Sequence, residues 1–138
     1  MVRQSLSLSS YSRSIPQFYE KTMEEWTVCA FTVTDDHGTP VGFFRYSINP
    51  GNNVGFLASV IIDHKLRGKG YGKKVTQMAL RYAFEFTGAE SVQLTVFEEN
   101  ADAKRCYERI GFTDRGAQMV HVYEDETWRL CTMAIFKQ

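Results

Sequence analysis

Two hydrophobic periods alternate along this chain. Residues 5–9 place leucine and serine in turn, the two-residue period of a short, weak strand. Ser14 stands where a helix N-cap belongs, with Pro16 in the first turn, and Ile15, Phe18, Tyr19, Met23 and Trp26 then share one helical stripe. Residues 27–34 form a β-branched run that ends in the turn Asp35-Asp36-His37-Gly38. Residues 41–48 continue as its hairpin partner, closed by Asn49-Pro50-Gly51-Asn52. A third strand covers 54–62. Val75, Met78, Ala79, Tyr82, Ala83 and Phe86 recur at helical spacing through a helix that stops at Gly88, and Val92, Leu94 and Val96 alternate on the strand after it. Strand, helix and strand in that order imply a parallel crossover. Asn100 caps a further helix with Ala103, Cys106, Tyr107 and Ile110 on one face, and Gly111 ends it. Two last strands, near 118–123 and 128–136, flank the acidic turn Glu124-Asp125-Glu126. The pattern predicts an α/β (α+β) protein with a mixed, mostly antiparallel sheet of six to seven strands.

Composition narrows the partners. The 138 residues make one domain, 1–138, and with 43% apolar residues it is large enough to bury a real core. Sixteen basic and sixteen acidic residues cancel, so no global field favours nucleic acid or a membrane surface as a partner. The longest uncharged apolar stretch, around 54–62, is too short to span a bilayer, and the isolated leucines of the N-terminus do not make a secretory signal. Cys29, Cys106 and Cys131 are odd in number, lie in apolar segments and lack C-x-x-C spacing. They read as reduced, buried thiols, which points to the cytoplasm.

The local chemistry concentrates at residues 62–72, where an apolar strand runs into a basic, glycine-dense loop and then a helix. Gly68, Gly70 and Gly72 let backbone amides converge on an anion, the helix start adds its positive dipole end, and Arg67, Lys69, Lys73 and Lys74 add full charges. A diphosphate suits such a cradle, and glycine spacing discriminates among diphosphates. A dinucleotide loop, G-x-G-x-x-G, fails because its last position falls on Lys73 or Val75. A nucleoside triphosphate loop, G-x-x-x-x-G-K-[ST], fails because Arg67 stands five before Gly72 and Lys74 follows Lys73. The pattern [QR]-x-x-G-x-[GA] is met by Arg67, Gly70 and Gly72. Downstream, Asn100, Ala103, Tyr107, Gly111 and Phe112 match N-x-x-[AS]-x-x-x-Y-x-x-x-G-F. With both segments present and in order, the chain resembles the GCN5-related N-acetyltransferases.

The resemblance implies the acyl-CoA N-acyltransferase fold with helices on both sheet faces, and acetyl-CoA as cosubstrate. It implies that the strand ending at Ile61 and Ile62 splays from its neighbour and lends backbone groups to the pantetheine arm. It assigns the pyrophosphate to Arg67, Gly68, Lys69, Gly70, Tyr71, Gly72 and Lys73, and brings Asn100 and Ala103 to the coenzyme. Tyr107 becomes the candidate general acid, since a phenol of pKa about 10 can protonate a departing thiolate while staying neutral beforehand. The acceptor would be a small-molecule or peptide amine attacking directly through a tetrahedral intermediate. It must lose a proton, yet Thr95 occupies the position where some family members carry a glutamate. Glu98, Glu99, His64 and the turn at 124–126 are the remaining candidates for a base, beside a water relay. That acidic turn would lie near the acceptor. His37 and His121 have no partners at ligand spacing, so no metal is expected. Only 26 residues precede the first β-branched run, which leaves the acceptor wall short relative to the family. A non-catalytic acyl-CoA-binding or regulatory module is the alternative function. Edge strands near the C-terminus leave room for a homodimer.

Overall fold

In the computed structural model the described residues are 2–7 and 27–138. Seven strands form one sheet: β1 (Val2–Ser7), β2 (Thr27–Thr34), β3 (Pro40–Asn49), β4 (Val54–Ile62), β5 (Ser91–Phe97), β6 (Thr113–Tyr123) and β7 (Glu126–Phe136). Their spatial order is β1-β2-β3-β4-β5-β7-β6. β1 runs parallel to β2, and β4 parallel to β5; every other neighbouring pair is antiparallel. Two helices are described, α1 (Tyr71–Phe86) in the β4–β5 crossover and α2 (Ala101–Ile110) between β5 and β6. The helical stripe expected from Ser14 to Trp26 lies outside the described residues.

Alternation builds the core on one face of the sheet. Register places Cys29 beside Tyr46 and Phe31 beside Phe44, and all four side chains are buried. α1 lays Val75, Met78, Ala79, Tyr82 and Ala83 onto them, each of the larger groups contributing about 1.5–3 kcal/mol on burial. Tyr82 meets Phe31 and Tyr46 edge-on, with ring centroids 5.0 and 5.4 Å apart. Phe44 and Tyr46 are therefore core, whereas Phe43 is half-buried and Phe56 is exposed on the opposite face.

Two departures from a regular sheet shape the site. β4 and β5 pair only at Val54–Ser91, Gly55–Val92 and Phe56–Gln93, and beyond Phe56 the strands part. β4 meanwhile stays with β3 to its end, where Gly42 faces Ile62 and the Asp63 N–H bonds the Val41 carbonyl at 3.1 Å. Along that seam Phe43 faces Ile61 and Arg45 faces Ala58, so β4 fits one residue more than β3 between them, a bulge at 59–60. The final hairpin is longer than the sequence pattern indicated. β6 starts at Thr113 rather than near 118 because a second irregularity, between Asp114 and Gln118, hides the alternation of its first half.

Candidate active site

The parting of β4 from β5 opens a cleft roofed by the two helices. Its outer hollow, about 400 Å³, is lined by Val60, Ile61 and Ile62 of β4, Leu66, Arg67 and Gly68 of the loop, Gly72 and Thr76 of α1, and Asp102, Ala103, Cys106 and Tyr107 of α2. An inner hollow of about 410 Å³ lies between the parted strands, lined by Leu57, Leu94, Thr95, Val96, Phe97, Asn100 and Leu130. Val60, Ala103 and Tyr107 form the wall common to both.

The loop holds its shape through two left-handed residues, Gly68 at φ 79° and Gly70 at φ 82°. A Cβ added at either would meet nothing within 4 Å, so these glycines are required by conformation, and the space above them is open. Gly72 differs from the sequence expectation: it is an ordinary helical residue whose added Cβ would meet only Ile62 Cγ1 at 3.9 Å. Gly70 is the N-cap of α1 and offers no side chain to the helix amides; no acidic residue stands in the first turn, where Lys73 and Lys74 occupy its surface. A helix start with free amides and two lysines is a feature that favours an anion. Lys74 rests over the Tyr71 ring, its Nζ 5.5 Å from the centroid. Lys69, Gly70, Tyr71 and Lys73, expected at the coenzyme, stand at this helix start and line neither hollow.

Ile61 and Ile62 separate in role. Ile62 is half-buried against the core, whereas Ile61 is 54% exposed and so is no core residue. From residue 57 to residue 62 β4 has no ladder to β5, which leaves the backbone groups on that side for another partner.

Tyr107 is half-buried, its ring edge-on to Phe112 with centroids 5.7 Å apart. Burial, with the neighbouring Cys106 adding to it, raises its pKa above the usual phenol value. Its hydroxyl has no hydrogen-bond partner among the described residues. Asn100 caps α2, its Oδ1 accepting from the Ala103 N–H at 3.2 Å, and also faces the inner hollow. Cys106 corrects the expectation of three buried thiols: Cys29 and Cys131 are buried, but Cys106 is half-exposed on the cleft wall because it shares the Tyr107 face of α2. The same helical spacing would have found Asp102, whose carboxylate pairs with Arg105; Leu66 and Thr76 carry no such signal.

Of the groups considered as a base, none but the excluded Thr95 reaches the cleft: Glu98, Glu99 and His64 do not line it. His64 sits in a short 3-10 turn beside Asp63, at 3.6 Å. Among the described residues no group of three or more His, Cys, Asp or Glu side chains is placed to hold a metal ion. Among them, too, no helix is long and apolar enough to cross a membrane.

The acetyltransferase (GNAT) family profile matches residues 2–112. The chain belongs to this family. It is 33% identical over 85 residues to a spermine/spermidine N(1)-acetyltransferase of Bacillus subtilis, a match covering 57% of this chain and 56% of that protein. An uncharacterized N-acetyltransferase of Methanocaldococcus jannaschii is 30% identical over 104 residues, 72% of this chain and 46% of that protein. The chain thus matches about half the length of these relatives. A mutant of the spermidine N-acetyltransferase SpeG from Vibrio cholerae superposes with a TM-score of 0.74 at 24% identity, covering 87% of this chain and 72% of that one. The parted strands, the glycine loop and the helix pair are therefore the GNAT fold.

Proposed function

We propose that this domain is an acetyl-CoA-dependent N-acetyltransferase whose acceptor is a primary amine of a small polyamine. The observation that carries this reading is the position of Tyr107 on the wall shared by two hollows, one opening on the glycine loop and the other lying between the parted strands. The pyrophosphate would rest on the Gly68–Gly70 loop and the α1 start, with Arg67 and Lys73 supplying charge. The pantetheine arm would take the strand edge that β5 leaves unpaired from residue 57 onward. A β4 amide there would hydrogen-bond the thioester oxygen as it becomes an oxyanion, worth about 3 kcal/mol in acyl transfer. The amine nitrogen bonds to the acetyl carbon, the C–S bond breaks, and Tyr107 gives its proton to the leaving sulfur. Because burial holds the phenol neutral, the proton is present when needed. Cys106 makes no hydrogen bond to a base among the described residues, and this reading includes no acyl-enzyme. Glu98 and Glu99 do not line the cleft, and the Asp102 carboxylate that does is paired with Arg105, so the ammonium proton would leave through water. The names of the relatives support a polyamine acceptor.

Calorimetric titration with acetyl-CoA, run beside Gly70→Glu, tests the coenzyme site, and thiol release with spermidine, spermine and simple monoamines tests the transfer. Binding abolished by the substitution, with turnover on polyamines, is the expected result. A folded wild type that does not bind acetyl-CoA would refute it, and binding without thiol release would leave a coenzyme-binding module.

A further inference from the structure

We infer that the aromatic pair of Phe97 and Trp128, backed by Glu126, is the specificity element for the acceptor and selects amines that carry a second cationic nitrogen; this rests on the acetyl transfer proposed for the cleft. The inner hollow runs through the sheet. Its wall takes in four consecutive residues of β5, Leu94, Thr95, Val96 and Phe97, and consecutive residues of a strand point to opposite faces. Leu94 and Val96 are buried on the helix face, where Ala103 and Tyr107 close that end. Thr95, Phe97 and Leu130 frame the other mouth, on the open face. Register pairs Phe97 with Leu130, and alternation along β7 puts Trp128 and Glu126 on that same face. The Phe97 and Trp128 rings meet edge-on with centroids 5.4 Å apart, yet stay 44% and 38% exposed.

Charge decides what this mouth admits. Apart from Tyr107, no residue lining the inner hollow is ionisable. An amine drawn between these walls is therefore favoured in its neutral form, which is the nucleophile. Any further charge on the acceptor stays at the open face. There Trp128 stands about 7 Å beyond Leu130 along β7, and Glu126 about as far again. An ammonium within about 6 Å of an aromatic ring face is attracted by the ring quadrupole, and the exposed Glu126 carboxylate adds to that attraction. Arg45, exposed on the same face of the sheet, lies on β3, across β4 from the mouth. It repels a second cation on that side, so the acceptor chain runs towards β7. An acceptor with a distal carboxylate would run the other way, towards Arg45 and away from Glu126.

Steady-state thiol release from acetyl-CoA tests this on the full chain, with spermidine, butylamine and an ω-amino acid of similar length as acceptors. The wild type should give its highest kcat/KM with spermidine. Glu126→Gln and Trp128→Leu should each lower the spermidine-to-butylamine ratio of kcat/KM by about 2–10-fold, through KM for spermidine. Trp128→Phe should restore most of that loss, which a mere loosening of the hairpin would not allow. A ratio unmoved by either substitution, or a preference for the ω-amino acid, would overturn the assignment. Absence of acetyl-CoA binding would instead refute the acetyltransferase reading. Calorimetric titration of wild type and Trp128→Leu with spermidine then reads the aromatic contact without turnover, and equal affinities would overturn it as well.

Discussion

Replacing Gly55 by alanine tests whether the seam that closes the narrow end of the cleft is as tightly built as its geometry indicates. Gly55 pairs with Val92 in the three-residue stretch that holds β4 to β5. A Cβ there would lie 2.5 Å from the Tyr46 hydroxyl oxygen, 2.7 Å from Cε1 and 2.9 Å from Cζ, all inside van der Waals contact. Tyr46 has nowhere to retreat. It is 2% exposed, its ring abuts Tyr82, and its hydroxyl lies 2.8 Å from Thr87 Oγ1. Thr87 already donates to the Ala83 carbonyl at 2.6 Å, so Tyr46 is the donor of that bond and a displaced ring loses it. Overpacking a dense core costs about 1–3 kcal/mol, and the lost hydrogen bond about 1 more. Alanine returns about 0.5 kcal/mol through the unfolded chain. The net loss is about 2–3 kcal/mol out of a total of about 5–15, or about 10 °C in Tm for a domain of this size. Urea unfolding followed by circular dichroism measures it, with the m-value unchanged. Tyr46→Leu in the same background removes the clashing atoms, so the double variant should be less destabilised than the sum of the singles. A Gly55→Ala protein within about 0.5 kcal/mol of wild type, or strict additivity in the double variant, would refute the packing argument.

Tyr107→Phe should lower kcat by about 10²–10⁴-fold while leaving the acetyl-CoA dissociation constant unchanged, since only a transition-state proton is removed. Burial raises the Tyr107 pKa, so kcat/KM should climb from neutral pH as the amine deprotonates, with no falling limb below pH about 10; a limb in the 8–9 range would identify a different acid. The raised value also means that this group's contribution to stability is complete below its unfolded pKa of about 10 and lost above it. Asp114 has its pKa lowered by the Gly116 N–H, the Cys131 thiol and Lys104. Its contribution is therefore present above the unfolded value of about 4 and lost as pH falls through the folded one. Asp114→Asn should flatten that part of an acid denaturation curve, and an unchanged curve would refute it. Glu124 and Asp125 hold left-handed φ angles of 48° and 66° in a two-residue hairpin, where Asn-Gly is preferred. Glu124→Asn with Asp125→Gly should raise stability by about 1 kcal/mol in urea unfolding, and no gain would show that the turn is unstrained.

Much of the fold is legible because its hydrophobic periods are clean. α1 and β5 follow from Val75 to Phe86 and from Val92 to Val96, and the capping residues Asn100 and Gly111 bound α2 where the sequence places them. What periodicity does not show is any change of register. The bulge at 59–60, the parting of β4 from β5 after Phe56 and the irregularity after Asp114 leave composition untouched and alter only which backbone groups meet. The same limit applies at the site. Glycine spacing finds the loop, and helical spacing from Tyr107 finds Ala103 and would have found Cys106. Val60, Leu66 and Thr76 reach the cleft only because three elements converge there.

The site is also where the chain departs from its own local rules, and the departures share a direction. α1 begins on a left-handed glycine with no side-chain cap and carries lysines where carboxylates would stabilise it, at a cost of some tenths of a kcal/mol to about 1 kcal/mol for each. β4 gives up a ladder that its neighbour could have completed. Tyr107 half-buries a phenol whose hydroxyl has no hydrogen-bond partner among the described residues. The unpaired strand edge and Tyr107 face the same cleft, and the start of α1 stands beside it. One ligand that brings a diphosphate, an amide-bearing arm and a sulfur in need of a proton answers all three at once. That convergence is the strongest physical reason to read this cleft as a site for an acyl coenzyme A.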